Sequence, residues 1–142
     1  METYESTVHR LHGTQAEAYA KLADLRNLEH IREKYKQTLP PEQYEKIKNF
    51  TCDEDSCSVN VAPVGDVTLR IVEREPNKTI KFGADRIPFA FNAWIQLKEN
   101  SLGETLVKVT VKADLPFFVR KMAGDKLQYG VERIAQTIAA VL

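Results

Sequence analysis

The chain has 142 residues, 43% hydrophobic and 28% charged, and its 20 basic residues balance its 20 acidic ones. That length fits one domain able to bury roughly two thirds of its extended surface, and the composition is that of an ordinary globular protein. With no net charge there is no long-range field to draw the chain toward nucleic acid or anionic lipid. No apolar stretch approaches the roughly 20 residues a bilayer span requires, so no stable membrane insertion is expected.

In chain order, Met1 to Glu5 has neither a basic start nor an apolar core. No secretory signal is expected, and the reading is a cytoplasmic protein in a reducing environment. Thr3 to Leu11 mixes Thr, Tyr, Val and His without a helical stripe and predicts a strand, ended by Gly13. Thr14-Gln15-Ala16-Glu17 fits a capping box, in which hydroxyl and carboxylate satisfy free amides at a helix start. Ala18, Tyr19, Leu22 and Ala23 give that helix an apolar face, and Leu25, Leu28, Ile31 and Tyr35 predict a second helix after a kink near Asp24. The best local basic run, His30 to Lys36, is broken by Glu33 and reads as the solvated face of this helix. Pro40-Pro41 ends the region, and Tyr44, Ile47 and Phe50 predict one more short helical piece.

After Phe50 the period changes to two. Val59 and Val61, then Val67, Leu69 and Ile71, then Ile80, Phe82 and Ala84 form successive apolar faces, separated by turn residues at Pro63 to Asp66 and Glu75 to Lys78. Phe89, Phe91, Ala93, Ile95 and Leu97 share one side of a longer strand, with Asn92, Trp94 and Gln96 on the other. Val107, Val109, Val111 and Ala113 make the last strand. This spacing predicts an antiparallel meander with one face buried. Asp114-Leu115-Pro116 then opens a long helix running to Leu142. Its apolar face is Val119, Ala123, Leu127, Val131, Ile134, Ile138 and Val141; its polar stripe is Lys121, Asp125, Gln128, Glu132 and Gln136. A single domain over 1–142, of α+β class, is the expectation.

Strand, paired short helices, meander and long C-terminal helix together resemble the START-like superfamily of helix-grip proteins (SRPBCC), which includes polyketide cyclases, dehydratases and lipid carriers. The likeness is carried by the Ser6 to Tyr19 stretch, by Val67-Thr68-Leu69-Arg70-Ile71-Val72-Glu73-Arg74-Glu75-Pro76 with its Glu-x-Pro-like turn, and by the amphipathic last helix. It implies a curved antiparallel sheet wrapped around that helix, with ligands entering the hollow between them. On that reading Phe82, Phe89, Phe91, Ile95, Val109 and Val111 offer an apolar wall, and Met122, Leu127 and Val131 face it from the helix. The implied partner is a hydrophobic small molecule such as a lipid, isoprenoid or polyketide-like compound; the same residues would equally serve as plain core. Gly124 and Gly130 each cost up to about 1 kcal/mol in a helix interior, and so mark close packing or space beside a cavity.

Asp114, Arg120 and Tyr129 are the candidates for a cyclase or dehydratase variant, in which they would polarise a carbonyl. A third reading is an interaction module of the chaperone-ATPase-activator type, where the outer surface matters. Three dispersed histidines lack metal-ligand spacing, and no cofactor motif is present, so neither metal nor cofactor is expected. Cys52 and Cys57 face each other across a predicted hairpin, yet a reducing compartment predicts two free thiols. Trp94 points to the convex side, either as a homodimer contact or under cover of a long neighbour such as Arg70.

Overall fold

A computed structural model of the chain describes residues 2–27, 29, 51–61, 65–85, 87 and 89–141, with backbone alone for 59–61, 65, 66, 123, 124 and 141. Of the expected second helix, carried by Leu25, Leu28, Ile31 and Tyr35, residues 28 and 30–35 lie outside the described residues, as do the piece around Tyr44 to Phe50, save for its neighbour Thr51, and the Pro63-Val64 turn; Gly124 is described by its backbone alone. Helical backbone does resume at Arg26, whose N–H is capped by the Asp24 carboxylate at 3.0 Å, so the kink falls where the sequence puts it.

The described strands are β1 (Glu2–Glu5), β2 (His9–Leu11), β3 (Thr51–Cys52), β4 (Ser56–Val61), β5 (Gly65–Glu75), β6 (Thr79–Asp85), β7 (Phe91–Glu99) and β8 (Thr105–Ala113). They form one curved antiparallel sheet in the order β1-β8-β7-β6-β5-β4-β3, with β2 also on β8. Helix α1 (Gln15–Leu22) follows β2, and α2 (Phe117–Val141) closes the chain. This is the α+β helix-grip architecture that the element order predicts.

Local chemistry accounts for the details. Thr14 caps α1 by accepting the Glu17 N–H at 3.1 Å. Asn77, in the Glu75 to Lys78 turn, adopts a φ of 64°, a left-handed conformation that asparagine tolerates. The predicted first strand is corrected to two. Glu5 faces Thr110 but His9 faces Val107, so three residues, Ser6 to Val8, oppose two on β8. That extra residue is a bulge. Ser6 fills it: its N–H donates to the Val109 carbonyl and its hydroxyl accepts the Val109 N–H, both at 2.9 Å. Without the extra residue Tyr4 and Leu11, seven positions apart, would face opposite sides of the sheet; with it both reach the core.

The two thiols are also corrected. Cys52 and Cys57 are joined as a disulfide, their Cα atoms 4.1 Å apart. The Asp53 carboxylate accepts the N–H groups of Asp55 and Ser56 at 2.9 and 2.8 Å, and this turn sets the facing register of the two cysteines. Compartment-based reasoning takes no account of register. Arg74 then ties the β3–β4 hairpin to the end of α1, donating to the Ala23 carbonyl and to Asp55.

The core lies between the concave face of the sheet, α1 and the second half of α2. Ile80, Val107 and Thr105 are fully enclosed, and Val131, Ala135 and Ile138 pack in from α2. The buried stripe is thus displaced from the predicted one: Ala135 is at its centre, and Ile134, at its edge, is half exposed.

Candidate ligand-binding site

β7 is an interior strand, hydrogen-bonded to β6 and β8 along its length, so any exposed area on its side chains lies on the faces of the sheet. On the concave face its residues fall into two groups. Leu97 is buried, whereas Phe91, Ala93 and Ile95 are only partly buried. Their cross-strand neighbours Ile80, Phe82, Val109 and Val111 are all buried. The under-covered stretch therefore lies along β7 itself, with the partly buried Phe89 at its start and the partly buried Leu127 among the inward residues of α2.

The predicted wall residues thus separate. Phe82, Val109, Val111 and Val131 are closed into the core. Phe89, Phe91, Ile95 and Leu127 keep accessible surface. The expectation that Met122 faces the sheet is corrected: it is 64% exposed, because nine positions from Val131 carry it half a turn away, onto the solvent side of α2. Ala93, absent from the predicted wall, belongs to the same row as Phe91 and Ile95, and strand alternation alone places it there. Gly130 is not a close-packing position, since an added Cβ would meet nothing within 4 Å.

α2 is fastened at its middle. Glu132 Oε2 accepts the Thr7 N–H at 2.7 Å, and Oε1 takes both the Thr7 hydroxyl and His9 Nε2, the latter at 3.0 Å. One helical turn earlier the Gln128 amide donates to the Glu5 carbonyl at 2.8 Å. The Thr7 hydroxyl, followed by the Thr7 N–H and His9, holds the Glu132 carboxyl below the usual carboxylate range. A hydroxyl, an imidazole and a carboxylate in mutual contact resemble a nucleophile triad only in composition. Here the same ring nitrogen meets both oxygens, and Thr7 donates to Glu132 instead of to the base. The cluster is a clasp across the β1–β2 bulge. Sequence periodicity assigns Glu132 to the solvated stripe; the parity clash between Tyr4 and Leu11 is the signal that could have located the bulge it grips.

The three polar candidates for catalysis stand apart. The Asp114 side chain is exposed. Arg120 forms an ion pair with Glu2 at 3.3 Å in an exposed setting. Tyr129 is exposed, two turns along from Met122 on the same side of α2. Tyr4 does face the core; burial, with the Glu2 carboxylate second, raises its phenol above the ordinary value, Asp125 adds to this and Arg120 opposes it. A phenol held in its neutral form can donate a hydrogen bond to a bound carbonyl and is a poor base. Among the described residues no group of three metal-binding side chains converges.

On the convex face, Trp94 is flanked by the ammonium groups of Lys81 and Lys112, 5.6 and 5.8 Å from its ring centre. The long side chains beside it are these lysines; Arg70 is engaged with Asp85 at 2.9 Å. A shallow recess of about 110 Å³ opens here between Trp94, Lys81, Thr79, Glu73 and Glu75. It is too small and too polar for an extended apolar ligand, whose sites span about 300–1,000 Å³.

No family model and no curated protein matches the sequence. Solved structures do match over nearly the whole chain. XoxI from Bacillus cereus aligns with a TM-score of 0.65 at 14% identity, covering 99% of this chain and 94% of its own. The Aha1 dimer from Colwellia psychrerythraea aligns with a TM-score of 0.59 at 13% identity, covering 96% and 94%. DynU16, from the dynemicin biosynthetic locus, aligns with a TM-score of 0.62 at 10% identity over 99% of this chain and 46% of its own. At such identities the likeness establishes a helix-grip-like fold and leaves the activity to be argued from the residues.

Proposed function

We propose that this protein binds a hydrophobic small molecule, of lipid, isoprenoid or polyketide-like aromatic type, against the concave face of β7. The observation that supports the reading is the partial burial of Phe91, Ala93 and Ile95 between closed neighbours in the middle of a sheet. Each such side chain left accessible forgoes part of the roughly 25 cal/mol per Å² that burial would contribute. A ligand supplies the missing cover, and Tyr4 could offer its hydroxyl to a carbonyl or hydroxyl end. The cyclase or dehydratase reading needs Asp114, Arg120 or Tyr129 beside a carbonyl in the cavity, and all three are exposed; binding is therefore put forward in its place. The Aha1 neighbour was solved as a dimer, and light scattering over a range of concentrations tests whether this chain also pairs.

The binding test is titration with an apolar fluorescent probe, paired with native mass spectrometry of the purified protein. Ala93→Phe should fill the space and abolish uptake while thermal unfolding stays cooperative. A wild type that takes up no probe, or an Ala93→Phe variant that takes up as much as wild type, would refute the proposal.

A further inference from the structure

We propose that the polar end of the ligand is an uncharged hydroxyl or ketone and not a carboxylate, and that Tyr4 receives it at the corner where β1 meets the first half of α2. The inference rests on the binding reading above and narrows its ligand class. Cross-strand register locates the corner. Tyr4 faces Val111, which faces Ala93, and Glu2 faces Ala113, which faces Phe91. With strands about 4.8 Å apart, Tyr4 lies about 10 Å across the sheet from Ala93, and the side chain between them, Val111, is closed into the core. Arg120 precedes Leu127 and Val131 by seven and eleven positions, within about 20° of each around α2. Its guanidinium reaches Glu2 at 3.3 Å.

The other polar side chains near this stretch are already engaged. Ser6, beside Val109, gives its hydroxyl to the Thr7 carbonyl and accepts the Val109 N–H. Arg74, facing Ile80, donates to the Ala23 carbonyl and to Asp55. The Tyr4 hydroxyl makes no hydrogen bond among the described residues, so a ligand lying along Phe91, Ala93 and Ile95 finds its free polar partner at this corner. Charge decides what the corner accepts. The carboxylates of Glu2 and Asp125 and the single guanidinium of Arg120 act on the phenol, and burial, then Glu2, raise it above its ordinary value. A partly buried corner with two carboxylates to one guanidinium disfavours a further negative charge. A carboxylate end would also have to displace Glu2 from Arg120, leaving that carboxyl unpaired. The neutral phenol instead donates to a ketone or hydroxyl oxygen, which brings no charge to desolvate. An ammonium end would meet Asp125 but lose its own hydration beside the apolar wall. Arg120 and Glu2 are half exposed, so the discrimination is modest and weakens with salt.

The test displaces a neutral fluorescent probe, N-phenyl-1-naphthylamine, from the whole protein with naphthalenes that differ only in their end group: hydroxymethyl, carboxylate or aminomethyl, the last as its ammonium. The alcohol should bind at least about fivefold more tightly than the carboxylate at low salt, with the ammonium between them and the gap narrowing as salt is raised. A carboxylate is also the more hydrophilic group, so the ratio is measured again in Glu2→Gln with Asp125→Asn, where it should fall by about threefold or more. Tyr4→Phe should lower the preference for the alcohol over plain naphthalene by about three- to tenfold. These substitutions keep side-chain volume, and a cooperative melt shows that each variant is folded. Equal binding of alcohol and carboxylate, a ratio unmoved by the double variant, an ammonium that binds tightest, or a Tyr4→Phe preference equal to wild type would overturn the proposal while leaving probe uptake, and with it the binding reading, intact. A wild type that takes up no probe would overturn both.

Discussion

The two halves of α2 share one backbone helix and serve opposite ends. In the second half Val131, Ala135 and Ile138 are at most 7% exposed and are enclosed by the sheet. In the first half Phe117, Phe118 and Met122 are at least 64% exposed. The Thr7–His9–Glu132 clasp sits at the boundary. An apolar residue on a helix is therefore no evidence of core until the surface facing it is known, and the same sequence texture supplies adhesion at one end and exposed apolar surface at the other.

The largest test of this division is Ile138→Ala, which should cost about 2–4 kcal/mol in chemical denaturation, as expected for truncation in a closed core. A loss under about 1 kcal/mol would mean that the second half is not gripped. Next comes Gly130→Ala. Its added methyl meets open space, so removing a helix-interior glycine should raise stability by about 0.5–1 kcal/mol; destabilisation would place hidden packing there. The clasp is read through pH. Because the Glu132 carboxyl is held low in the folded state, it adds stability above the ordinary carboxylate range. That contribution fades as pH falls through the lowered value. Glu132→Gln should thus be less stable than wild type at neutral pH, with urea midpoints converging in acid; a pH-independent gap would show that the ionised clasp contributes nothing. The smallest effect is Met122→Ala, within about 0.5 kcal/mol of wild type in the same assay. A large loss there would erase the contrast between the halves.

Much of the fold was legible because it rests on local rules. Periods of two and 3.6 separated the strands from α2, Thr14 marked the start of α1, and turn residues placed Asn77 in its turn. The candidate site was legible only in part. Strand alternation correctly grouped Phe91, Ala93 and Ile95, but it could not say which inward residues are closed over, since that depends on where α2 crosses. Met122 was misplaced because an apolar residue in a helix was assumed to face the sheet. The disulfide was missed because its register is set by a turn, while the reduced reading came from compartment statistics.

The sequence by itself determined the kinds of element, their order and hence a helix-grip architecture, because hydrophobic period, caps and turns act over a few residues. Only the tertiary structure decided which stretch of α2 is gripped, where the β1–β2 bulge shifts parity, and which inward side chains on β7 remain accessible. Those outcomes arise from contacts between separate segments of the chain, in the case of Thr7 and Glu132 more than a hundred residues apart, and no local pattern carries them.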